Sequence, residues 1–541
     1  MSEAVPLTHD AHISWRYWLV WFLVFALLSA VWPRDAVFDI AHYHIHNGWS
    51  AAHGRLGQDL APADLHSFLN PIHSLLVWGI IDRVPGPIAV ALLSPIQAAI
   101  LPLLYALGAR CASRLNVSLP RSVLAISAAT GFLAVANLFT FASIGNDHWG
   151  AAAFIAALVL CLDRRGVDRS WRNMALASFL IGAATGMKLT NAVYIPGFAS
   201  LALILATSWP ARIRVALVGA AFGLFGLLLL GGWWAHEMWT QFGNPVYPHL
   251  NALFGSPELG PEEPFRDQRY LPGSFFELLI RPFQFSFNTA LIFEFALIDL
   301  RFLLIYAGML PLLAWLAWRG LQRQPIAAGA RTVLAMSSAV LVTYFSWAAV
   351  FSILRYASAL WLIAPILFMV LFAWALPKFT EHRQFRAMAL ILCGALIIST
   401  SAAPNRRIPW ASWSEPYVWT QLPDGVDIAD SVIVFSAHYP TAFTAPAFAE
   451  AAWLTHADSH AWSAPALANY RPLIDVRLQQ TQAPVFAVLF ADTALNAADL
   501  QRLARSLGLR AQADECRPMR TGFDIREEHW VLCALQRVAP E

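Results

Sequence analysis

Residues 15–32, WRYWLVWFLVFALLSAVW, run straight into residues 33–71, PRDAVFDIAHYHIHNGWSAAHGRLGQDLAPADLHSFLNP. The first run has Arg16 as its single charge and approaches the roughly 20 residues a helix needs to cross hydrocarbon. The second is polar, aromatic and rich in histidine, with Asp35, Asp39, His42, Tyr43, His44, His46, Arg55, Asp59 and Asp64 in close succession. Titratable groups are costly to hold beside hydrocarbon, so their gathering there points to chemistry rather than packing. The rest of the chain reads as a scaffold that presents this loop.

Of the 541 residues, 58% are apolar and 13% charged, against roughly 25% charged in an ordinary soluble domain. Long apolar runs recur at 15–32, 86–108, 121–141, 149–163, 173–187, 191–207, 211–232, 299–318, 332–353, 356–376 and 386–402. The expected fold is therefore an α-helical polytopic membrane protein with about 11 transmembrane helices. The run at 15–32 is too long for a signal-peptide core and lacks a small-x-small exit, so it reads as a retained first span. Pro71–Ile81 is too short to span and reads as an interfacial helix. A net charge of +2 without a basic block leaves no ground for a nucleic-acid partner.

Arginine crowds the segments 110–121, 164–172, 212–214, 319–331 and 378–386, which the positive-inside rule places in the cytoplasm with the N-terminus. The large loops at 33–85 and 233–298, and the short ones at 144–149 and 351–355, then share the opposite face. Residues 1–402 form the membrane domain on this reading. From 403 to 541 the composition changes: DSVIVFSAH, APVFAVLFAD and HWVLCALQRV read as buried strands, and AADLQRLARSLGLR as a helix with a glycine stop. With an odd number of spans, this small α/β domain lies outside the membrane, in the periplasm of a bacterial inner-membrane protein. Cys516 and Cys533 either pair there or remain buried thiols.

Every polar cluster that looks chemical falls on that one face. Asp39, at the exit of the first span, is placed to act as a general base, or is simply a solvated helix-end residue; Asp35 and Asp59 are its rivals. Asp147 and His148, in SIGNDHWG, lie on the same face, where an aspartate ahead of an apolar helix is also a common N-cap. Lys188, in TGMKLTN, and Arg355, in ILRYAS, are cations that meet a phosphate or snorkel to the surface. Asn244 and Tyr247 sit in GNPVYP, downstream of a tryptophan-rich helix exit that suits an amphiphilic ligand or an interfacial anchor. His42, His44 and His46 alternate, a weak pattern for metal ligation.

In FDIAHYHIHNGWSAAHGRLGQDLAP, TGMKLTN and GNPVYP the chain resembles the GT-C superfamily of membrane glycosyltransferases. More narrowly, it is similar to a bacterial, mannosyltransferase-like branch that uses polyprenyl-phosphate sugars. The resemblance spans residues 1 to about 400 and lies in the order and shared sidedness of short motifs. It implies a polyprenyl-phosphate-linked sugar donor and a glycan, lipid or protein acceptor, with Asp39 as the acid that deprotonates the acceptor hydroxyl. Asp147 would assist the acceptor or a divalent metal, although no metal ligands are assigned. Lys188 and Arg355 would neutralise the lipid phosphate, with Asn244 and Tyr247 near the donor and His42, His44, Asp59 and His148 as further pocket candidates. Many relatives carry an adjacent acidic pair at the span exit, whereas AVF separates Asp35 from Asp39 here. That leaves the choice of base open.

A lipid-linked phosphate is a membrane-resident leaving group, so no nucleotide-binding loop is required, and neither a P-loop nor a dinucleotide fingerprint occurs. Two other classes remain. A lipid or glycan transporter or flippase would show repeated halves and midplane ionisable groups. A non-catalytic subunit of an envelope-polysaccharide system would tolerate loss of Asp39.

Overall fold

The computed structural model of the chain describes residues 14–117, 119–163, 166–260, 267–322, 326–376, 383–401, 410–411, 413, 416–436, 440–457, 469–490, 497–523 and 530–537. Each expected span falls on a helix or a short succession of helices. Among the described residues four helices, Gly86–Leu115, Trp209–Phe242, Arg301–Arg319 and Ala328–Val350, are long and apolar enough to cross a membrane, and shorter apolar helices such as Trp15–Val31 accompany them. Side chains that face outward are large and apolar: Leu27 is 67% and Val31 74% exposed. Such a surface would aggregate in water and is at home against lipid tails.

Local chemistry sets these elements. The long helix Trp209–Phe242 starts where the Ser208 hydroxyl accepts a hydrogen bond from Ala211 N, has Pro210 in its first turn, and stops at Gly243 in a left-handed conformation. It packs along Trp171–Met187 with backbone almost touching backbone. A Cβ on Gly182 would lie 1.9 Å from Gly223 O, and one on Gly226 2.3 Å from Phe179 O. Only glycine permits this approach, the small-residue packing that holds helices together in lipid.

The residues after the first span form a folded and buried segment rather than a solvated loop. Asp39 precedes a π-helical turn, Ile40–His44, that leads into the helix Ile45–Ala52. A 3₁₀ turn at Asp64–Phe68 and the helix Ile72–Ile81 follow. Ile72–Ile81 coincides with the short helix expected there.

The C-terminal domain explains that burial. Its six-stranded sheet has the order Thr420–Gln421, Leu509–Thr521, Trp530–Arg537, Val485–Phe490, Val432–Phe435, Trp453–His456. The last three strands are parallel to one another and the other pairings antiparallel. Cys516 and Cys533 face each other across two of these strands and are joined as a disulfide. Helices Arg471–Gln480 and Ala497–Ser506 complete the domain.

Its inner surface shares one core with the first loop: Ile40, Tyr43, Trp49 and Trp78 cluster with Phe435, Phe443, Leu454 and Trp530. Arg34, buried, donates to Tyr417 O at 2.6 Å and Phe523 O at 2.7 Å. Arg34–Asp35 also pairs as a two-residue strand with Trp410–Ala411.

Candidate active site

Five charged side chains from five distant segments meet beside one cavity. Asp39 comes from the exit of the first span, and Asp147 is the first residue of the helix Asp147–Cys161. Lys188 ends the helix Trp171–Met187 in an extended conformation. Arg355 lies in the 3₁₀ turn Leu354–Ala357, which is tied by Leu354 N to Ile292 O at 2.7 Å and so carried next to Glu294.

The guanidinium of Arg355 is the hub. Its Nη1 lies 2.6 Å from Asp39 Oδ2 and 3.3 Å from Asp147 Oδ2, and its Nη2 lies 3.2 Å from Glu294 Oε1. Lys188 Nζ is 2.5 Å from the other oxygen of Asp147 and 5.1 Å from the centroid of the Tyr356 ring. Three carboxylates thus surround two cations, which makes the neighbourhood of Arg355 over-supplied with anions.

Burial by itself would raise the Asp39 carboxyl, but the charge and hydrogen bond of Arg355 outweigh it and hold the group well below the usual carboxylate range. Burial likewise works against the charge on Arg355, and Asp39, Asp147 and Glu294 reverse it and keep the guanidinium protonated. Arg355 acts on Asp35 only weakly. Burial pushes it up to about 6, against hydrogen bonds from Ser143 and the Val37 backbone. His44, buried and then repelled by Lys188, is brought down to about 4 and is neutral at pH 7.

The cavity measures about 410 Å³. One part of its wall is polar, with Asp39, Tyr43, His44, Lys188, Glu294 and Arg355; another is apolar, with Leu227, Leu228, Gly231 and Trp234 from the long helix. The polar end can hold a phosphate and a hydroxyl together, and the apolar end can hold a hydrocarbon chain. Tyr247 also lines it, stacked on Phe242 with ring centroids 3.9 Å apart.

Other candidates are engaged elsewhere. Asn244 forms a turn, accepting from Val246 N at 3.0 Å and donating to His249 O at 2.9 Å. Asp59 pairs with Arg55 and accepts from Leu454 N at 2.9 Å, which fastens the loop to the C-terminal sheet. His148 is buried next to Trp149. The alternating histidines have different partners, and a helical turn rotates His44 to nearly the opposite face from the histidines two residues away on either side. His44 meets Ser74 Oγ at 3.1 Å, His46 meets Asn47 Oδ1 at 2.9 Å, and His42 joins Asp64 and His66. Asp147 is not the N-cap of its helix; Asn146 holds that position.

Sequence reasoning missed Glu294, His66 and the paired Asp267 and Arg269 on the cavity wall. A signal existed for Glu294, the one acid in the aromatic run FNTALIFEFALI.

A family model described as glycosyltransferase family 87 matches residues 68–343, just over half of the chain. Asp147, Lys188 and Glu294 fall inside that stretch; Asp39 and Arg355 fall outside it. A solved structure of ArnT from Cupriavidus metallidurans, bound to undecaprenyl phosphate, is similar at a TM-score of 0.48 and 14% identity, covering 96% of this chain and 97% of that one. No curated protein matches.

Proposed function

The chain belongs to glycosyltransferase family 87, of the GT-C type of membrane glycosyltransferases, and from that premise we propose that it moves a sugar from a polyprenyl-phosphate donor to an acceptor hydroxyl on the periplasmic side, with Asp39 as base. The observation that carries this reading is the convergence of Asp39, Asp147, Lys188, Glu294 and Arg355 beside a cavity whose wall is also built from Leu227, Leu228 and Trp234. The disulfide between Cys516 and Cys533 supports an oxidising location for the C-terminal domain. On this reading the domain, and the face on which it packs, lie in the periplasm.

The step needs a base at the acceptor and cations at the leaving group. Asp39 takes the acceptor's hydroxyl proton, the freed oxygen bonds to the anomeric carbon, and the bond from that carbon to the phosphate oxygen breaks. The electron pair leaves with the lipid phosphate, whose charge Arg355 and Lys188 balance. A single displacement from the opposite face inverts the anomeric configuration. The apolar wall around Leu227, Leu228 and Trp234 takes the first isoprene units.

Arg355 is paired with Asp39. An arriving phosphate, a stronger multidentate partner for a guanidinium, competes for Arg355 and releases the carboxylate toward the acceptor. Donor binding and base activation are then one event. A density map of the protein with a bound polyprenyl-phosphate sugar tests the assignment. The phosphate is expected within hydrogen-bonding distance of Arg355 or Lys188 and the sugar against Asp39; a phosphate bound elsewhere overturns it.

A further inference from the structure

We propose that His42, Asp64 and His66 form a binding site for a divalent transition-metal ion of the zinc class, built into the first loop on the flank of the cavity. The three residues are almost completely buried, at 1%, 0% and 8% exposure. One ligand atom from each lies within 4.8 Å of the others. The Asp64 carboxylate is 2.6 Å from His66 Nδ1 and 3.7 Å from His42 Nε2. Ligands on a tetrahedral ion with bonds of about 2.0–2.1 Å lie roughly 3.3 Å apart, so the observed separations straddle the required one. Two imidazoles and a carboxylate, with a fourth position left to a small ligand, is a donor set that zinc and its neighbours favour over magnesium or calcium.

The donors are held in place from outside. The ring of Tyr43 stacks on His66 with centroids 5.2 Å apart, and Phe38 lies 4.7 Å from the ring of His42. Asn47 donates to the His66 carbonyl at 2.9 Å, and Asp64 accepts from the His66 backbone at 3.0 Å. Pre-set ligands lose little freedom when they bind an ion.

Its position gives the ion an approach. His66 is both a member of the cluster and part of the cavity wall, so water or a substrate oxygen reaches the fourth position from the cavity. His42 lies on the π-helical turn that Asp39 opens, so an ion there fixes the orientation of the turn that presents the base.

Binding is measured on the resting protein and does not depend on the transferase reading. The full-length protein, purified in detergent, is equilibrated with zinc, freed of excess and analysed for metal. A parallel sample is loaded with cobalt and its visible absorption recorded. Stoichiometric zinc and a tetrahedral cobalt spectrum are expected. Both should be lost or weakened at least tenfold in His66→Gln and Asp64→Asn, with monodisperse elution retained. His73→Gln, equally buried on the helix Ile72–Ile81, should keep the ion and serves as the folding control. Wild-type protein without zinc, or with a zinc content that His66→Gln leaves unchanged, overturns the proposal. Should Asp64→Asn fail to fold, His66→Gln and the wild-type cobalt spectrum still decide the question. Protein that takes up no zinc when equilibrated with it, yet transfers sugar, would refute the site and leave the transferase standing.

Discussion

Asp39→Asn is expected to drive turnover and donor affinity in opposite directions. Asp39 Oδ2 is 2.6 Å from Arg355 Nη1, and on the proposed reading the donor phosphate competes with this contact for the guanidinium. A hydrogen bond with charge on both partners is worth about 1.5–3 kcal/mol, whereas a neutral amide oxygen in the same place offers about 0.5–1.5 kcal/mol. The incoming phosphate therefore meets about 1–2 kcal/mol less competition in the variant, which is roughly 5- to 30-fold tighter binding. Turnover should fall by about 10²–10⁴, the usual worth of a positioned general base. Equilibrium binding of a fluorescent polyprenyl phosphate in detergent reads the first quantity, and single-turnover transfer of a radiolabelled sugar reads the second. Donor affinity that is unchanged or weakened in Asp39→Asn would show that the phosphate does not compete for Arg355. Retained turnover would remove Asp39 as the base.

Two further outcomes follow from the same loop. Burial raises Asp35 to about 6, above the ordinary value near 3.9, so the stability tied to its protonated form is complete below about pH 4 and lost as pH rises through 6. At pH 8 the charged group costs about 2–3 kcal/mol, so Asp35→Asn should unfold several degrees higher than wild type at pH 8 and at the same temperature at pH 4; thermal unfolding in detergent at the two pH values checks it, and a gap that does not widen with pH refutes it. Arg34→Met removes the donor that serves the carbonyls of Tyr417 and Phe523, a loss of about 3–6 kcal/mol in interdomain contact at about 1.5–3 for each charged bond. Limited proteolysis should then cut residues 403–541 faster than in wild type, and an unchanged digestion pattern would refute the anchoring role.

The membrane scaffold was legible because lipid imposes a length. Runs of about 20 apolar residues become helices wherever backbone groups have no water to bond. The strands Val432–Phe435, Val485–Phe490 and Trp530–Arg537 were legible as short buried runs. The strand Leu509–Thr521 was not, because LRAQADECRPMRT carries five charges in thirteen residues and takes its conformation from its neighbours in the sheet. Within the site, Asp39, Asp147, Lys188 and Arg355 stood out as charges at span boundaries, where hydrocarbon makes a charge expensive. Their shared partner did not, since nothing in a linear chain says that one guanidinium will touch three carboxylates. Asn244 and Asp59 carried the right chemistry in the wrong surroundings: one closes a turn, the other ties the loop to a strand.

That last tie bears on why the C-terminal domain is there at all. A loop holding so many ionisable groups would, if solvated, sample many conformations and screen its charges with water. Here Arg34, Asp59 and the core formed by Trp49, Trp78, Phe435 and Trp530 fix it. Fixation removes reorganisation from the reaction, and exclusion of water lets Arg355 act on Asp39 at the strength of a low-dielectric contact. Both require a cover built from elsewhere in the chain, because the loop itself, with glycines at 48, 54 and 57 and alternating histidines, has too little apolar surface to bury itself. The α/β domain supplies that surface. On this reasoning it is part of the site's architecture even though none of its described residues pairs with the five-charge cluster.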